Sequence, residues 1–234
     1  MRIDIWSDVV CPWCYIGKRR LESALADFDH ADDVEVVWHS FELDPTAPHE
    51  PTESVVESLG RKYGGGPEGA RQMIARVEAL AAQDGLDFDQ QDAPHVNTRD
   101  AHRVLHLALD ELGPQAQGAL KERLLATYFS EHGNPADRDT LRAAAVGVGL
   151  DAARVDQVLD GDAYTDQVDA DIAQARAFGA TGVPFYVIDN KYGISGAQST
   201  EVFSDVLGRA WQESHLPVTL VGQGPAEACG PDGC

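Results

Sequence analysis

The sequence predicts an α/β fold in which both ends of the chain build one β-sheet and a helical block is inserted between them. Three observations lead to this fold class. Residues 1–48 have a strand, helix, strand pattern. Residues 49–179 are rich in Ala, Leu, Glu, Gln and Arg, as helices are. A β signal returns at 183–188 before a last helix, so the order is β-α-β, helices, β-β-α.

Composition limits the function. The chain has 234 residues, of which 43% are hydrophobic, enough for a large domain with a real core. Acidic residues outnumber basic ones by 39 to 18, for a net charge of −21. This charge repels nucleic acid and anionic membranes, so we expect neither as a partner. The first residues lack the pattern of a signal peptide, which predicts a cytoplasmic protein; composition leaves the oligomeric state open.

The N-terminal part of the core, residues 1–48, is predicted to form a β-α-β unit. Ile3 and Ile5 alternate with Asp4 in the first strand. The helix covers 11–28 and has apolar residues at helical spacing, namely Ile16, Leu21, Leu25 and Phe28. A Val-rich run at 34–38 forms the second strand. A helical crossover of this length predicts that the two strands are parallel.

The helical block, residues 49–179, is divided by glycines and prolines. One helix is predicted over 67–84, where a proline opens it and a glycine follows it. Asn97 and Asp100 resemble a capping pair for the next helix, which ends at Gly113. A third helix has its apolar residues between 120 and 128, and two more surround Leu141 and Ala170.

The C-terminal part of the core, residues 180–216, is predicted to add a hairpin and a helix. The hairpin has strands at 183–188 and 192–196 around a turn at 189–191. Ser199 is placed to cap a helix that runs through Trp211. Residues 217–234 form a tail rich in Gly and Pro.

Two cysteines stand where the first strand meets the first helix, in the order Cys11-Pro12-Trp13-Cys14. Free N–H groups and the dipole at a helix N-terminus stabilise a thiolate, so we expect a lowered pKa and a nucleophilic Cys11. Cys14 lies one turn further along the same face and is expected to resolve the mixed disulfide. Pro12 suits the first helical turn, and Trp13 is expected to offer an apolar ring to the substrate. A structural zinc site would need four clustered ligands, so we predict no metal.

This motif, together with Val183-Pro184, resembles the thioredoxin fold. The helical insertion resembles the DsbA branch of that fold, and the stretches 7–17 and 195–198 resemble its FrnE-type members. The resemblance implies a cytosolic thiol-disulfide oxidoreductase of the disulfide reductase or isomerase type. Its partners would be protein or peptide thiols and disulfides. Its cofactor would be only the redox-active disulfide, with glutathione as a candidate co-substrate.

The resemblance also implies substrate-binding residues around a cis peptide bond before Pro184. Val183 would pair with an extended substrate strand. Gln198, before the last helix, would bind a glutathione or peptide carboxylate, with helix capping as the alternative role. Kappa-class glutathione transferases and chromene-carboxylate isomerases belong to the same branch but usually have serine in place of Cys11. A glutathione-dependent isomerase or transferase is therefore the alternative enzyme class.

A second cysteine pair, Cys229 and Cys234, ends the sequence. Some FrnE-like proteins are similar in having such a pair. Three interpretations stay open: a dithiol relay to the first pair, a soft-metal site, and a tail with a structural disulfide or incidental thiols. A non-enzymatic metal-binding or holdase protein is accordingly a third functional class.

Other polar residues have mainly structural interpretations. His102 and His106 have metal-ligand spacing but no third ligand, so we expect packing and a surface hydrogen bond. His39 is expected to be structural. Asp4 and Asp8 flank the path to the first cysteine, where a carboxylate either takes the proton of the resolving thiol or caps the helix.

Overall fold

The structure is a computed structural model and describes residues 1–214. The predicted tail at 217–234, with Cys229 and Cys234, lies outside the described residues. Within residues 1–214, no helix combines the length and the apolar character that crossing a membrane requires.

In the described part of the chain, one four-stranded sheet carries the fold, in the order β2-β1-β3-β4. Its strands are β1 (Arg2–Ser7), β2 (Glu35–Ser40), β3 (Phe185–Ile188) and β4 (Tyr192–Ser195). β1 and β2 are parallel, as the β-α-β unit predicts, whereas β3 runs antiparallel to β1 and forms a hairpin with β4. The predicted α/β class, with a sheet built from both ends of the chain, is confirmed.

Two helices cover one face of this sheet. They are α1 (Pro12–Ala26) and α9 (Thr200–Ser214), which contact each other. Ile5 of β1 and Tyr186 of β3 pack there with Leu21 and Phe203 from the helices. Because side chains alternate along a strand, Trp6 and Phe185 point to the opposite face, where they pack with Ala175.

Seven helices lie between β2 and β3 in the chain. They are α2 (Val55–Tyr63), α3 (Gly66–Gln83), α4 (Arg99–Leu112), α5 (Pro114–Ser130), α6 (Arg138–Gly147), α7 (Ala152–Asp160) and α8 (Thr165–Ala177). The prediction did not separate α2 and α7, although each has a capping signal. Ser54 and Glu57 form a capping box before α2, and Asp151 caps α7. The proposed capping pair of α4 is wrong: Asn97 accepts from Arg99 N, and Asp100 pairs with Arg103.

The helical block closes the open edge of the sheet through side chains. The amide of Gln117 in α5 accepts from Trp38 N at 2.9 Å and donates to Trp38 O at 2.8 Å. Asp171 of α8 accepts from Ser40 N at 2.7 Å. These contacts satisfy backbone groups of β2 that a further strand would otherwise pair, so the edge strand is covered by helices.

Candidate active site

Cys11 is the N-cap residue of α1, in the short connection after β1. Its backbone is extended, Pro12 occupies the first helical turn, and Cys14 N donates to Cys11 O at 3.0 Å. Cys11 is 3% exposed and Cys14 is completely buried, whereas Trp13 is 39% exposed. The two sulfurs therefore lie at the end of one helix, with Cys11 nearer to solvent.

The loop before β3 approaches Cys11 from the other half of the chain. The Val183–Pro184 peptide bond is cis, as the resemblance implies. The Cys11 thiol lies 3.5 Å from Val183 O. Helix α1 is seated close to β3 at Gly17, where a Cβ atom would lie 2.3 Å from the Tyr186 hydroxyl and 3.2 Å from the Pro184 ring. A glycine at position 17 thus permits the close approach of the two elements.

A cluster of buried polar groups lies beneath the cysteines. Asp8 accepts from Leu43 N at 2.8 Å and lies 3.3 Å from the His102 ring nitrogen. Lys121 of α5 is completely buried, and its Nζ donates to Ser7 O at 3.3 Å. Lysines are almost never fully buried without a charged partner. Lys121 instead contacts a carbonyl and the Trp38 ring, which suggests that its charge acts electrostatically on the nearby cysteines.

Sequence reasoning missed Lys121. A signal was present, because this lysine stands next to Leu120 and within one turn of Leu124 and Leu125, the apolar face of its helix. A cation on an apolar helical face is buried if the face packs against another element. What it meets there depends on β1, more than a hundred residues earlier in the chain, which no local pattern indicates.

The surroundings of the two thiols act on their acidity in opposite directions. The hydrogen bond from Cys11 to Cys14, together with burial and the nearby charges of Cys14 and Asp8, raises the pKa of Cys11. Burial also disfavours charge on Cys14. The Cys11 hydrogen bond, the Lys121 ammonium and the backbone N–H of Asp8 nevertheless lower the pKa of Cys14. The reduced pair thus shares one proton between its two sulfurs once the first has been lost.

The neighbouring charges have shifted pKa values of their own. Burial lowers the pKa of Lys121 to about 8, so most of it is still charged at neutral pH. Burial opposes ionisation of Asp8, but the contact with His102, the Leu43 N–H and the Lys121 charge together outweigh it and lower the pKa of Asp8. Asp8 is therefore a permanent carboxylate and a weak proton acceptor. Asp4 does not reach the site, since it binds Arg2 and His39.

An open cavity of about 430 Å³ lies directly beside Cys11. Its walls come from the α1 N-terminus, the Val183 loop, and helices α2 and α3. Among the predicted site residues, it brings together Cys11, Pro12, Trp13 and Val183. Apolar side chains are the largest group among the other lining residues: Val10, Leu43, Val55, Leu59, Met73, Ile74, Val77 and Val96.

Gln198 and the histidine pair are not part of this cavity wall. The Gln198 amide donates to Ser195 O at 2.8 Å, a local contact in the loop before α9. His102 is packed in the interior, as expected, but its expected surface hydrogen bond is wrong, because its polar contact is with the buried Asp8. His106 contacts Asp171, which also holds His39. Within residues 1–214, no group of three His, Cys, Asp or Glu side chains is arranged to hold a metal ion.

Comparison with known proteins places this geometry in a family. The model of the DSBA-like thioredoxin domain matches residues 2–208. The crystal structure of a probable DsbA oxidoreductase from Streptomyces coelicolor is 46% identical to the chain. It matches 100% of this chain and 98% of its own length, with a TM-score of 0.85.

Two more distant structures share the fold. A 2-hydroxychromene-2-carboxylate isomerase is 16% identical over 92% of this chain and 98% of its own, with a TM-score of 0.67. A cytosolic disulfide reductase, DsbM from Pseudomonas aeruginosa with GSH, is 16% identical. It matches 91% of this chain and 100% of its own, with a TM-score of 0.62. At this identity the likeness shows the fold alone.

Proposed function

Because the chain belongs to the DSBA-like thioredoxin domain family, we propose that it is a thiol-disulfide oxidoreductase that reduces or isomerises disulfides with Cys11 and Cys14. One observation carries the proposal. Cys11 lies at a helix N-terminus beside the Val183 carbonyl and borders the cavity, while Cys14 is buried behind it. Such a pair can exchange disulfides without a further cofactor.

The chemistry follows from one proton shared by two sulfurs. Cys11 Sγ attacks a substrate sulfur as its proton passes to Cys14, the substrate S–S bond breaks, and one thiolate leaves. That thiolate takes the proton from Cys14. Cys14 Sγ then bonds to Cys11 Sγ and displaces the second substrate thiolate. The substrate gains two electrons, and the protein is left with a Cys11–Cys14 disulfide.

We propose protein or peptide disulfides as substrates, bound across Trp13 and Val183, with glutathione as the thiol that reduces the pair again. The neighbour from Pseudomonas aeruginosa, a disulfide reductase solved with GSH, supports this choice. A cytosolic setting completes the proposal, because a reducing compartment keeps such a pair as thiols between cycles.

The test measures whether electrons pass from the two cysteines to a substrate disulfide. Reduced full-length protein is mixed with an equimolar amount of insulin, quenched by alkylation and mapped by peptide mass spectrometry. We expect one Cys11–Cys14 disulfide for each insulin disulfide lost. Protein alkylated beforehand is the control and should leave insulin oxidised. If both thiols persist while insulin stays oxidised, the chain is not a disulfide reductase.

A glutathione-dependent isomerase or transferase is the second candidate, and the apolar cavity beside Cys11 is the observation that favours it. This enzyme class predicts turnover of a small aromatic substrate that requires glutathione and tolerates the loss of Cys14. A dithiol oxidoreductase needs both cysteines. Activity of a Cys14 variant on each substrate class therefore separates the two proposals.

Lys121 has a defined role in this scheme: its charge favours the Cys14 thiolate that resolves the mixed disulfide. A Lys121→Met variant keeps the length of the side chain and removes the charge. The pKa of Cys14 then rises and less of it is ionised at neutral pH. We expect resolution to become about tenfold slower, the effect of about one pKa unit. Stopped-flow measurement of substrate release against pH should show the profile moved to higher pH.

The control for this prediction is Lys18→Met. Lys18 is also buried, but Glu22 and Glu122 hold its charge, and its effect on Lys121 is to lower the pKa of that ammonium. Its removal should lower the melting temperature, and because it leaves the Lys121 ammonium at least as fully charged, it should not move the pH profile to higher pH. Lys121→Met removes the hydrogen bond to Ser7 O together with the charge, so the pH profile, and not the melting temperature, reports the assigned role. An unchanged pH profile in Lys121→Met would contradict the assigned role.

A further inference from the structure

The cavity beside Cys11 combines an apolar wall with exposed aromatic rings. Within residues 1–214, seven large hydrophobic side chains are exposed, and three of them, Trp13, Leu43 and Tyr63, border this cavity. Exposed apolar groups concentrated around a concave site mark a surface that a ligand covers. Trp13 and Tyr63 in addition offer flat rings on which an aromatic group can stack.

One cation on this wall has no carboxylate partner in the described part of the chain. Lys62, near the end of α2, is exposed and contacts only the ring of Tyr63, at 5.7 Å. Its neighbour Arg61 is instead held by Glu53. In a chain with a net charge of −21, an unpaired ammonium beside the reactive thiol is the group that would attract an anion to it.

The carboxylates on the same wall are already engaged. Asp8 is buried against His102 and Leu43 N. Asp44 accepts hydrogen bonds from Thr46 and lies 3.1 Å from His95. Lys62 is thus the charged group of the cavity wall that is left to meet a ligand.

On the basis of the proposed function, we infer that the cavity binds an amphipathic, anionic disulfide, with an aromatic body against the apolar wall and a carboxylate at Lys62. Cys11 Sγ bonds to one sulfur of this molecule, its S–S bond breaks, and the other aromatic thiolate leaves. Cys14 displaces the second thiolate. Two electrons pass from the dithiol to the bound disulfide, and no other reactant is needed.

The experiment compares three disulfide probes that differ in charge and ring content. Dithiobis(nitrobenzoate) is aromatic and anionic, dithiodipyridine is aromatic and neutral, and oxidised glutathione is anionic without a ring. Each probe reacts with reduced full-length protein in which Cys229→Ser and Cys234→Ser confine the reaction to the first pair. Each rate is divided by the rate of the same probe with free N-acetylcysteine, which removes its intrinsic reactivity.

We expect dithiobis(nitrobenzoate) to have the highest normalised rate. Lys62→Met should lower this rate about threefold to tenfold at low salt and leave dithiodipyridine unchanged, and added salt should remove the difference. Arg176→Met, which removes an exposed cation outside the cavity wall, is the matched control and should change neither rate.

Two results would overturn the inference. Equal losses in Lys62→Met and Arg176→Met would mean that only net charge matters, and a faster normalised reaction with oxidised glutathione would mean that the apolar wall is not used. In both cases the dithiol still reduces disulfides, so the proposed function stands. If no probe forms a Cys11–Cys14 disulfide, the proposed function fails and the inference fails with it.

Discussion

A Cys11→Ser variant is expected to lose disulfide reduction almost completely, with a rate on the order of a thousandfold below that of the wild type. The reason is chemical. A serine hydroxyl is hardly ionised at neutral pH and forms no bond to sulfur that a second thiol could exchange. Cys14 cannot substitute, because it is completely buried and does not border the cavity. Insulin reduction with a glutathione-based recycling system measures the effect.

The control for this variant is its stability. Replacing sulfur with oxygen at a nearly buried site changes the side-chain volume little, so the free energy of unfolding should change by no more than about 1–2 kcal/mol. A folded but inactive Cys11→Ser protein supports the nucleophile assignment. Insulin reduction that survives the change would show that the reaction uses another thiol, and the proposed function would be wrong. The metal-binding alternative would be favoured by two results together. The wild type would show no reductase activity, and Cys11→Ser would leave metal uptake through Cys229 and Cys234 unaffected.

A Cys14→Ser variant is expected to stop after the first step. Cys11 still attacks, but no second thiol lies behind it, so a mixed disulfide with the substrate accumulates. The rate of multiple turnover should fall about a hundredfold, because an external thiol must now resolve the mixed disulfide in place of the adjacent Cys14 thiol. Intact-protein mass spectrometry should show one covalent adduct per chain, and peptide mapping should place it on Cys11.

The comparison with Cys11→Ser makes this result specific. Both variants lose turnover, but only Cys14→Ser should retain substrate covalently. If no adduct forms, or if the adduct maps to Cys229 or Cys234, the division of roles between Cys11 and Cys14 is wrong. Full turnover of a small aromatic substrate in Cys14→Ser, dependent on glutathione, would instead favour the isomerase or transferase alternative.

Much of the fold was predictable because its causes are local. The alternation of Ile3 and Ile5, the helical spacing behind Cys11, and the returning β signal near Phe185 are each read within one element. Capping errors arose where a local pattern had several solutions. The Asn97 side chain accepts a hydrogen bond from the backbone N–H two residues ahead, a contact that occurs both in turns and in helix caps. Only the path of the chain around Asn97 distinguishes a turn from a cap.

The sequence by itself determined that two cysteines stand one turn apart at the start of a helix after a strand, and that this motif belongs to a sheet built from both chain ends. Only the tertiary structure decided their electrostatics. Lys121 and Asp8 lie 113 positions apart in the chain, yet both act on the Cys14 charge. A pKa depends on burial and on charges within a few ångströms, whichever element supplies them, so a position at a helix N-terminus does not by itself set the acidity of either thiol.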